Sequence, residues 1–192
     1  MKKIVVFASG AGSNAAKIIR YFHHHNTIRV ALIVCNKPGA GVIKIAEKEK
    51  TPVLLIEKEK FFHGDAYIKE LQQLGVDLIV LAGFLWKIPP AFIKAFPGRI
   101  INIHPALLPK YGGKGMYGRF VHQAVIDNKE TESGITIHYV DEVYDHGKII
   151  FQATCPVEAN DTASSLAEHI AILEHEHYPK VIERVISGIE PL

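Results

Sequence analysis

Lys3-Ile4-Val5-Val6-Phe7-Ala8, followed at once by Ser9-Gly10-Ala11-Gly12-Ser13-Asn14-Ala15, is the stretch that decides the fold. A strand with one solvated face alternates apolar and polar side chains, whereas this run is apolar almost throughout, as a strand covered on both faces must be. The small residues after it let the backbone turn. From Ala15 the apolar positions Ile18, Ile19 and Phe22 then recur at the i, i+3, i+4, i+7 spacing of a helix. The same unit repeats down the chain. Arg29–Cys35, Pro52–Ile56, Val76–Leu81 and Arg99–Ile103 read as strands, with Gly41–Lys50, Ala66–Leu74 and Pro90–Ala95 as the helices between them. Near-continuous apolar strands alternating with helices predict an α/β fold with a mostly parallel, doubly wound, Rossmann-like sheet.

The second part of the chain reads differently. A glycine-rich loop, Tyr111-Gly-Gly-Lys-Gly-Met-Tyr-Gly118, leads to a helix over Arg119–Ile126, and two strands follow, Gly134–Val140 and Lys148–Val157. Their connection, Asp141–Gly147, is too short for a helical crossover, which predicts an antiparallel strand pair in the C-terminal part. Asp161 is placed to cap the last helix, Gly188 and Pro191 to close it, and Pro179 to kink or split it. No repeat or linker interrupts the sequence, so one domain over 1–192 is expected.

Composition narrows the function classes. The 192 residues are 48% hydrophobic and 22% charged, enough for one full core. A formal net charge of +2 argues against a dedicated nucleic-acid binder. Cys35 and Cys155 suggest neither a disulfide framework nor a metal site. No run is long enough to span a membrane, and Ile4–Ala8 is too short for a signal peptide, so a cytoplasmic protein without a membrane partner is expected.

Three motifs carry chemistry. Gly10-x-Gly12-x-x-Ala15 meets a dinucleotide fingerprint, but the second strand ends Val34-Cys35-Asn36-Lys37, without the acid that would hold a ribose. What remains is a turn whose backbone N–H groups and helix N-terminus suit a single phosphate, with Ser13 and Asn14 as added donors. The bland alternative makes Ser13 or Asn14 a simple N-cap. In Arg99-Ile-Ile-Asn-Ile-His-Pro105, strand alternation turns Asn102 and His104 to one face, and Pro105 ends the strand there. An amide beside an imidazole suits acyl-type chemistry. Such a histidine calls for a carboxylate, and Asp145, just before His146-Gly147, is the best-placed candidate. Asp141 and Glu142 read as solvated loop charges, and His138 reads equally as a core or a lining residue. His175 and His177 lack the i, i+4 spacing of a zinc pair, so no metal site is supported.

These residues, together with Leu81-Ala-Gly-Phe84, Asn102-Ile-His-Pro-Ala-Leu-Leu-Pro-Lys-Tyr111 and Asp145 with Gly147, resemble the phosphoribosylglycinamide formyltransferases over nearly the whole chain. The resemblance implies transfer of a formyl group from 10-formyltetrahydrofolate, as cosubstrate and without a metal, to the amine of glycinamide ribonucleotide, in purine synthesis. It implies Asn102, His104 and Asp145 as the catalytic set. Gly12, Ser13 and Asn14 match the family's phosphate-binding turn, and Glu174 a carboxylate that contacts the same ribonucleotide. Leu85, Trp86, Lys87 and Ile88, with Val140, Asp141 and Asp145, match the folate pocket, where Asn102 also belongs. The chain departs from a common form of the family at Trp86, where arginine is usual, and at Phe62–Ala66, which lacks an arginine that reaches the folate tail in some members.

The expected mechanism has Asn102 and a protonated His104 stabilise a tetrahedral oxyanion, with Asp145 favouring the charged imidazole. The competing readings are a formyltetrahydrofolate hydrolase, a formyltransferase with another acceptor such as a tRNA, and a non-catalytic nucleotide-binding module. The first two call for further domains that a one-domain chain does not have, and the third has no use for the amide, imidazole and acid together. A monomer or homodimer is expected.

Overall fold

In a computed structural model of the protein, residues 1–189 are described. The chain runs β1 (Lys2–Ala8), α1 (Ser13–Phe22), β2 (Ile28–Cys35), α2 (Gly41–Lys48), β3 (Val53–Leu55), α3 (Lys58–His63), α4 (Ala66–Leu74) and β4 (Leu78–Leu81). It continues α5 (Pro90–Ala95), β5 (Ile100–His104), α6 (Arg119–Asp127), β6 (Glu132–Tyr139), β7 (Ile149–Pro156) and α7 (Ala163–Ser187). The strands form one seven-stranded sheet in the order β3-β2-β1-β4-β5-β6-β7. Pairing is parallel from β3 to β5, and both β5–β6 and β6–β7 are antiparallel. The antiparallel character thus begins one strand earlier than the sequence predicts, because the short α6 returns the chain without crossing the sheet.

Alternation along β1 explains why both faces are covered. Ile4, Val6 and Ala8 pack with α1, α2 and α7, while Val5 and Phe7 pack on the other face with α3, α4 and α5. All five are essentially inaccessible to solvent. Burying each apolar side chain of this size contributes on the order of 1.5–3 kcal/mol, so the central strands hold most of the hydrophobic driving force.

Three local expectations are corrected. Helix α3 is absent from the sequence reading because Lys58-Glu-Lys-Phe-Phe-His63 has no helical apolar period. It forms through tertiary packing, with the Phe61 ring 4.9 Å from that of Phe92 and 5.7 Å from that of Trp86. The cap of α7 is Thr162, not Asp161: Thr162 Oγ1 accepts the Ser165 N–H at 3.2 Å and Ser165 Oγ accepts the Thr162 N–H at 2.9 Å. Asp161 instead accepts from the Ser165 hydroxyl at 2.6 Å and the Glu158 N–H at 2.9 Å. Helix α7 also runs unbroken through Pro179, since Tyr178, Val181 and Ile182 beside it are anchored in the core. Gly188 ends that helix in the left-handed conformation, as expected, and Pro191 lies outside the described residues.

One buried bond ties α7 to the carboxyl edge of the sheet. Tyr178, fully buried, donates its hydroxyl to the Leu81 carbonyl at 2.9 Å. Tyr178→Phe is expected to lower the unfolding free energy by about 0.5–1.5 kcal/mol, since it removes a buried hydrogen bond. Urea unfolding measures it, and an unchanged midpoint would show that the bond contributes nothing.

Candidate active site

The sheet order reverses between β1 and β4, and in open α/β sheets the crevice at that reversal, outside the carboxyl ends of the strands, is where ligands bind. Here the two strand ends are laced together. Ala82 N–H donates to the Phe7 carbonyl at 2.8 Å and Ser9 N–H to Gly83 at 3.1 Å. Leu85 N–H donates to the buried Ser9 hydroxyl at 2.9 Å. The glycine turn after β1 and the segment after β4 therefore form one rigid edge.

Within the turn, Gly12 sits at φ +83°, and a Cβ there would lie 2.7 Å from the Val42 Cα. Only glycine allows so close an approach to α2. Gly12, rather than Ser13 or Asn14, is the N-cap of α1, and no side chain caps the helix. Asn14 is thereby free to donate from Nδ2 to Glu174 Oε2 at 2.8 Å, and its Oδ1 is buried without a partner. Burial raises the Glu174 carboxyl above the ordinary range, with the Asn14 bond opposing.

At the end of β5, Asn102 and His104 project to one face, as alternation requires. Antiparallel register puts Asn102 directly opposite His138 of β6. His138 Nδ1 is 2.8 Å from the Tyr139 carbonyl, so it carries the proton, and Nε2 accepts from Asn102 Nδ2 at 3.2 Å. One N–H of the Asn102 amide is used in this way and the other is left for a ligand. His104 Nε2 donates to the Tyr111 carbonyl at 2.7 Å, which leaves Nδ1 facing Asp145 Oδ2 at 3.6 Å.

Asp145 reaches this point because its loop folds back sharply. Its φ is +52°, a conformation Asp tolerates better than most residues, and Gly147 lies so close to the Tyr139 carbonyl that a Cβ would sit 1.8 Å from it. The carboxylate accepts the Gly113 N–H at 2.9 Å and lies 3.6 Å from His138 Nε2. Sequence reasoning left His138 undecided. The signal that would have found it is the antiparallel β5–β6 pairing, which alone places it across from Asn102.

Electrostatics describe the site before any substrate is bound. Burial holds the His104 ring below the ordinary histidine value, outweighing the favourable effects of Asp145 and the Tyr111 carbonyl, and His138 adds to the lowering. The resting imidazole is therefore neutral near pH 7 rather than protonated. Burial would raise the Asp145 carboxyl, but the contacts with His138, His104 and the Gly113 N–H together outweigh it, and the group is ionised.

These groups open onto a cavity of about 720 Å³. Asn14, Asn102, His104, Asp145 and Glu174 line it, whereas Gly12 and Ser13 do not. Leu85, Trp86, Lys87 and Ile88 form one wall, and Val140 and Asp141 belong to the opposite rim. Trp86 stacks on Phe61 and Phe62, and the Lys87 ammonium lies 5.3 Å from the Tyr144 ring centre. The loop from Gly113 to Gly118 also lines the cavity, which the sequence did not assign. Among the described residues no three His, Cys, Asp or Glu side chains are arranged to hold a metal ion.

A doubly wound sheet with an amide, an imidazole and a carboxylate converging at its carboxyl edge is the arrangement of a group-transfer enzyme. The formyl transferase family profile matches residues 2–182, and the chain belongs to that family. Relatives in that family include proteins named phosphoribosylglycinamide formyltransferase. The one from Bacillus subtilis is 38% identical over 192 residues, covering 97% of this chain and 96% of that one. The chloroplastic one from Arabidopsis thaliana is 43% identical over 187 residues, 94% of this chain, and this chain spans 64% of its length. The solved structure of glycinamide ribonucleotide transformylase 1 from Geobacillus kaustophilus superposes with a TM-score of 0.87 at 35% identity, covering 97% of this chain and 99% of that one.

The His104 environment sets a pH signature. Nuclear magnetic resonance titration of the imidazole is expected to show His104 protonating below the ordinary value, and lower still in Asp145→Asn, where the carboxylate's support is lost. The sign carries to stability: the unfolded chain takes up this proton at higher pH than the folded one, so the neutral ring's contribution is lost as pH falls below about 6.5. A midpoint above the ordinary value would overturn the assignment.

Proposed function

We propose that this protein transfers the formyl group of 10-formyltetrahydrofolate to the amine of glycinamide ribonucleotide, in one domain over 1–192, with Asn102, His104 and Asp145 as its catalytic residues. The observation that carries the reading is the buried Asn102–His138–Asp145–His104 cluster at the cavity floor. The turn Gly12–Asn14 at the start of α1 supplies N–H groups for the ribonucleotide phosphate. Glu174 and the unpaired Asn14 Oδ1 supply acceptors for its ribose hydroxyls. The folate lies between the wall Leu85–Ile88 and the rim Val140–Asp145.

The substrate amine attacks the formyl carbon, and a C–N bond forms as the carbonyl oxygen becomes negative. The free N–H of the Asn102 amide stabilises that oxygen as an oxyanion donor. His104, neutral at rest, takes the amine proton on Nδ1, where Asp145 stabilises the resulting imidazolium. The proton then passes to the folate nitrogen as the formyl carbon–N10 bond breaks. The balance closes without a covalent enzyme intermediate, because the amine is itself the nucleophile. A cytoplasmic location and small-molecule partners only, with neither nucleic acid nor membrane, fit the near-neutral charge of +2. A monomer or homodimer completes the reading.

The decisive experiment follows folate absorbance after mixing the protein with 10-formyltetrahydrofolate, with and without glycinamide ribonucleotide. Change only with the ribonucleotide supports transfer, while change without it indicates hydrolysis and overturns the reading. Asp145→Asn and His104→Ala are each expected to lower kcat by about 10²–10⁴, with ribonucleotide binding largely kept. Asn14→Ala is expected instead to raise the ribonucleotide KM by about tenfold. Near-normal turnover in either of the first two variants would sink the assigned roles.

A further inference from the structure

Beside the main cavity lies a groove of about 600 Å³ between the first turns of α6 and α7. The two spaces share Gly118, His122 and Ala167 in their linings, and Arg119, Gln123, Thr162, Ala163 and Ser164 complete the groove. In α6 the Phe120 and Val121 N–H groups already donate to the Tyr117 and Gly118 carbonyls, which leaves the N–H of Arg119. In α7 the Ser165 N–H is taken by Thr162 Oγ1, which leaves those of Ala163 and Ser164. Each helix start also concentrates partial positive charge. An acid in the first turn would ordinarily offset this, yet neither helix has one. Helix α6 opens instead with Arg119, which is exposed and makes no ion pair among the described residues. A cation at the positive end of a helix opposes the local dipole, so its presence there calls for a reason outside the helix. The carboxylate of Asp161, next to Thr162, is committed to Glu158 and Ser165 and does not line the groove.

The second observation is independent of the helix ends. His122 is only 6% exposed, and neither ring nitrogen has a hydrogen-bond partner. Nδ1 is sealed off, which leaves Nε2 as the nitrogen open to the spaces that His122 lines. Nε2 is thus the ring nitrogen that a ligand can reach, and no protein group among the described residues pairs with it. The groups present here are a guanidinium, an imidazole, the N–H groups of Arg119, Ala163 and Ser164 and the Ser164 hydroxyl, with no carboxylate in the lining to oppose them.

We propose that this groove is a second anion site, taking a phosphate group through the Arg119 guanidinium, His122 Nε2 and the backbone N–H groups of Arg119, Ala163 and Ser164. It is separate from the turn at Gly12–Asn14 and does not rest on the formyl-transfer reading. Polar groups approach from two helix starts and three side chains, which suits a tetrahedral oxyanion better than a planar carboxylate. The volume exceeds what a bare phosphate fills, leaving room for a small organic body on it.

The test uses backbone amide and histidine ring signals in a nuclear magnetic resonance titration with inorganic phosphate, and a parallel one with ribose 5-phosphate. The amides of Arg119, Ala163 and Ser164 and the His122 ring should shift together and saturate, on a curve separate from that of Gly12, Ser13 and Asn14. Tighter saturation by the ester than by the ion assigns the natural ligand as a phosphate ester, and equal saturation assigns the free ion. Arg119→Ala should weaken binding in the groove about tenfold and leave the Gly12–Asn14 curve unmoved. Ala163→Pro removes one first-turn N–H at a position that tolerates proline, after a Thr162 already extended at φ −108°, ψ 166°. It should weaken phosphate in the groove without unfolding the protein. Shifts that stay linear in phosphate, or an Arg119→Ala curve equal to that of the parent protein, would overturn the proposal.

Discussion

The antiparallel pairing of β6 with β5 is the constraint on which the candidate site depends. It sets His138 across from Asn102, and it sends the chain out of β6 at Tyr139, beside Ile101 rather than beside His104. Asp145 can then meet His104 only if the loop doubles back over the strand end. The tight approach of Gly147 to Tyr139 and the left-handed backbone at Asp145 are the means of that return. On the facing side, Gly112 passes so close to Leu108 and Asp145 that a Cβ would sit 2.5 Å from the Leu108 side chain. The neighbouring Gly113 then offers its N–H to the carboxylate.

The same pairing organises the electrostatics. Two imidazoles and one carboxylate share a space with little solvent, where an unpaired charge is costly. Backbone carbonyls of Tyr111 and Tyr139 each take one imidazole proton, so the tautomers of His104 and His138 are set before any substrate arrives. Asp145 accepts the Gly113 N–H at 2.9 Å, and its carboxyl lies below the ordinary range. The candidate site thus holds an ionised carboxylate beside a neutral imidazole, a pair able to take up and pass on a proton.

Much of this was legible in the residues. The apolar runs of β1, β2 and β4 have no polar face, so only a sheet covered on both sides accommodates them. Asn102 and His104 share a face by strand alternation alone. Helix α3 was not legible, since its charged sequence carries no helical period and Phe61 packs only because Phe84, Trp86 and Phe92 surround it. The cap of α7 was misread because Asp161 and Thr162 are both good capping residues, and local sequence does not tell which of two neighbours adopts the extended backbone.

By itself, then, the amino-acid sequence determined the doubly wound sheet, the glycine turn at its edge, and the strand-end amide and imidazole with an acid in a later loop. These follow from period, propensity and backbone freedom, which act over a few residues. Tertiary structure alone decided that His138 joins Asn102, that Asn14 bonds Glu174 across 160 positions of the chain, and that His104 rests neutral. Each of these depends on which distant groups share a buried space, and on the loss of water there, which no local pattern records.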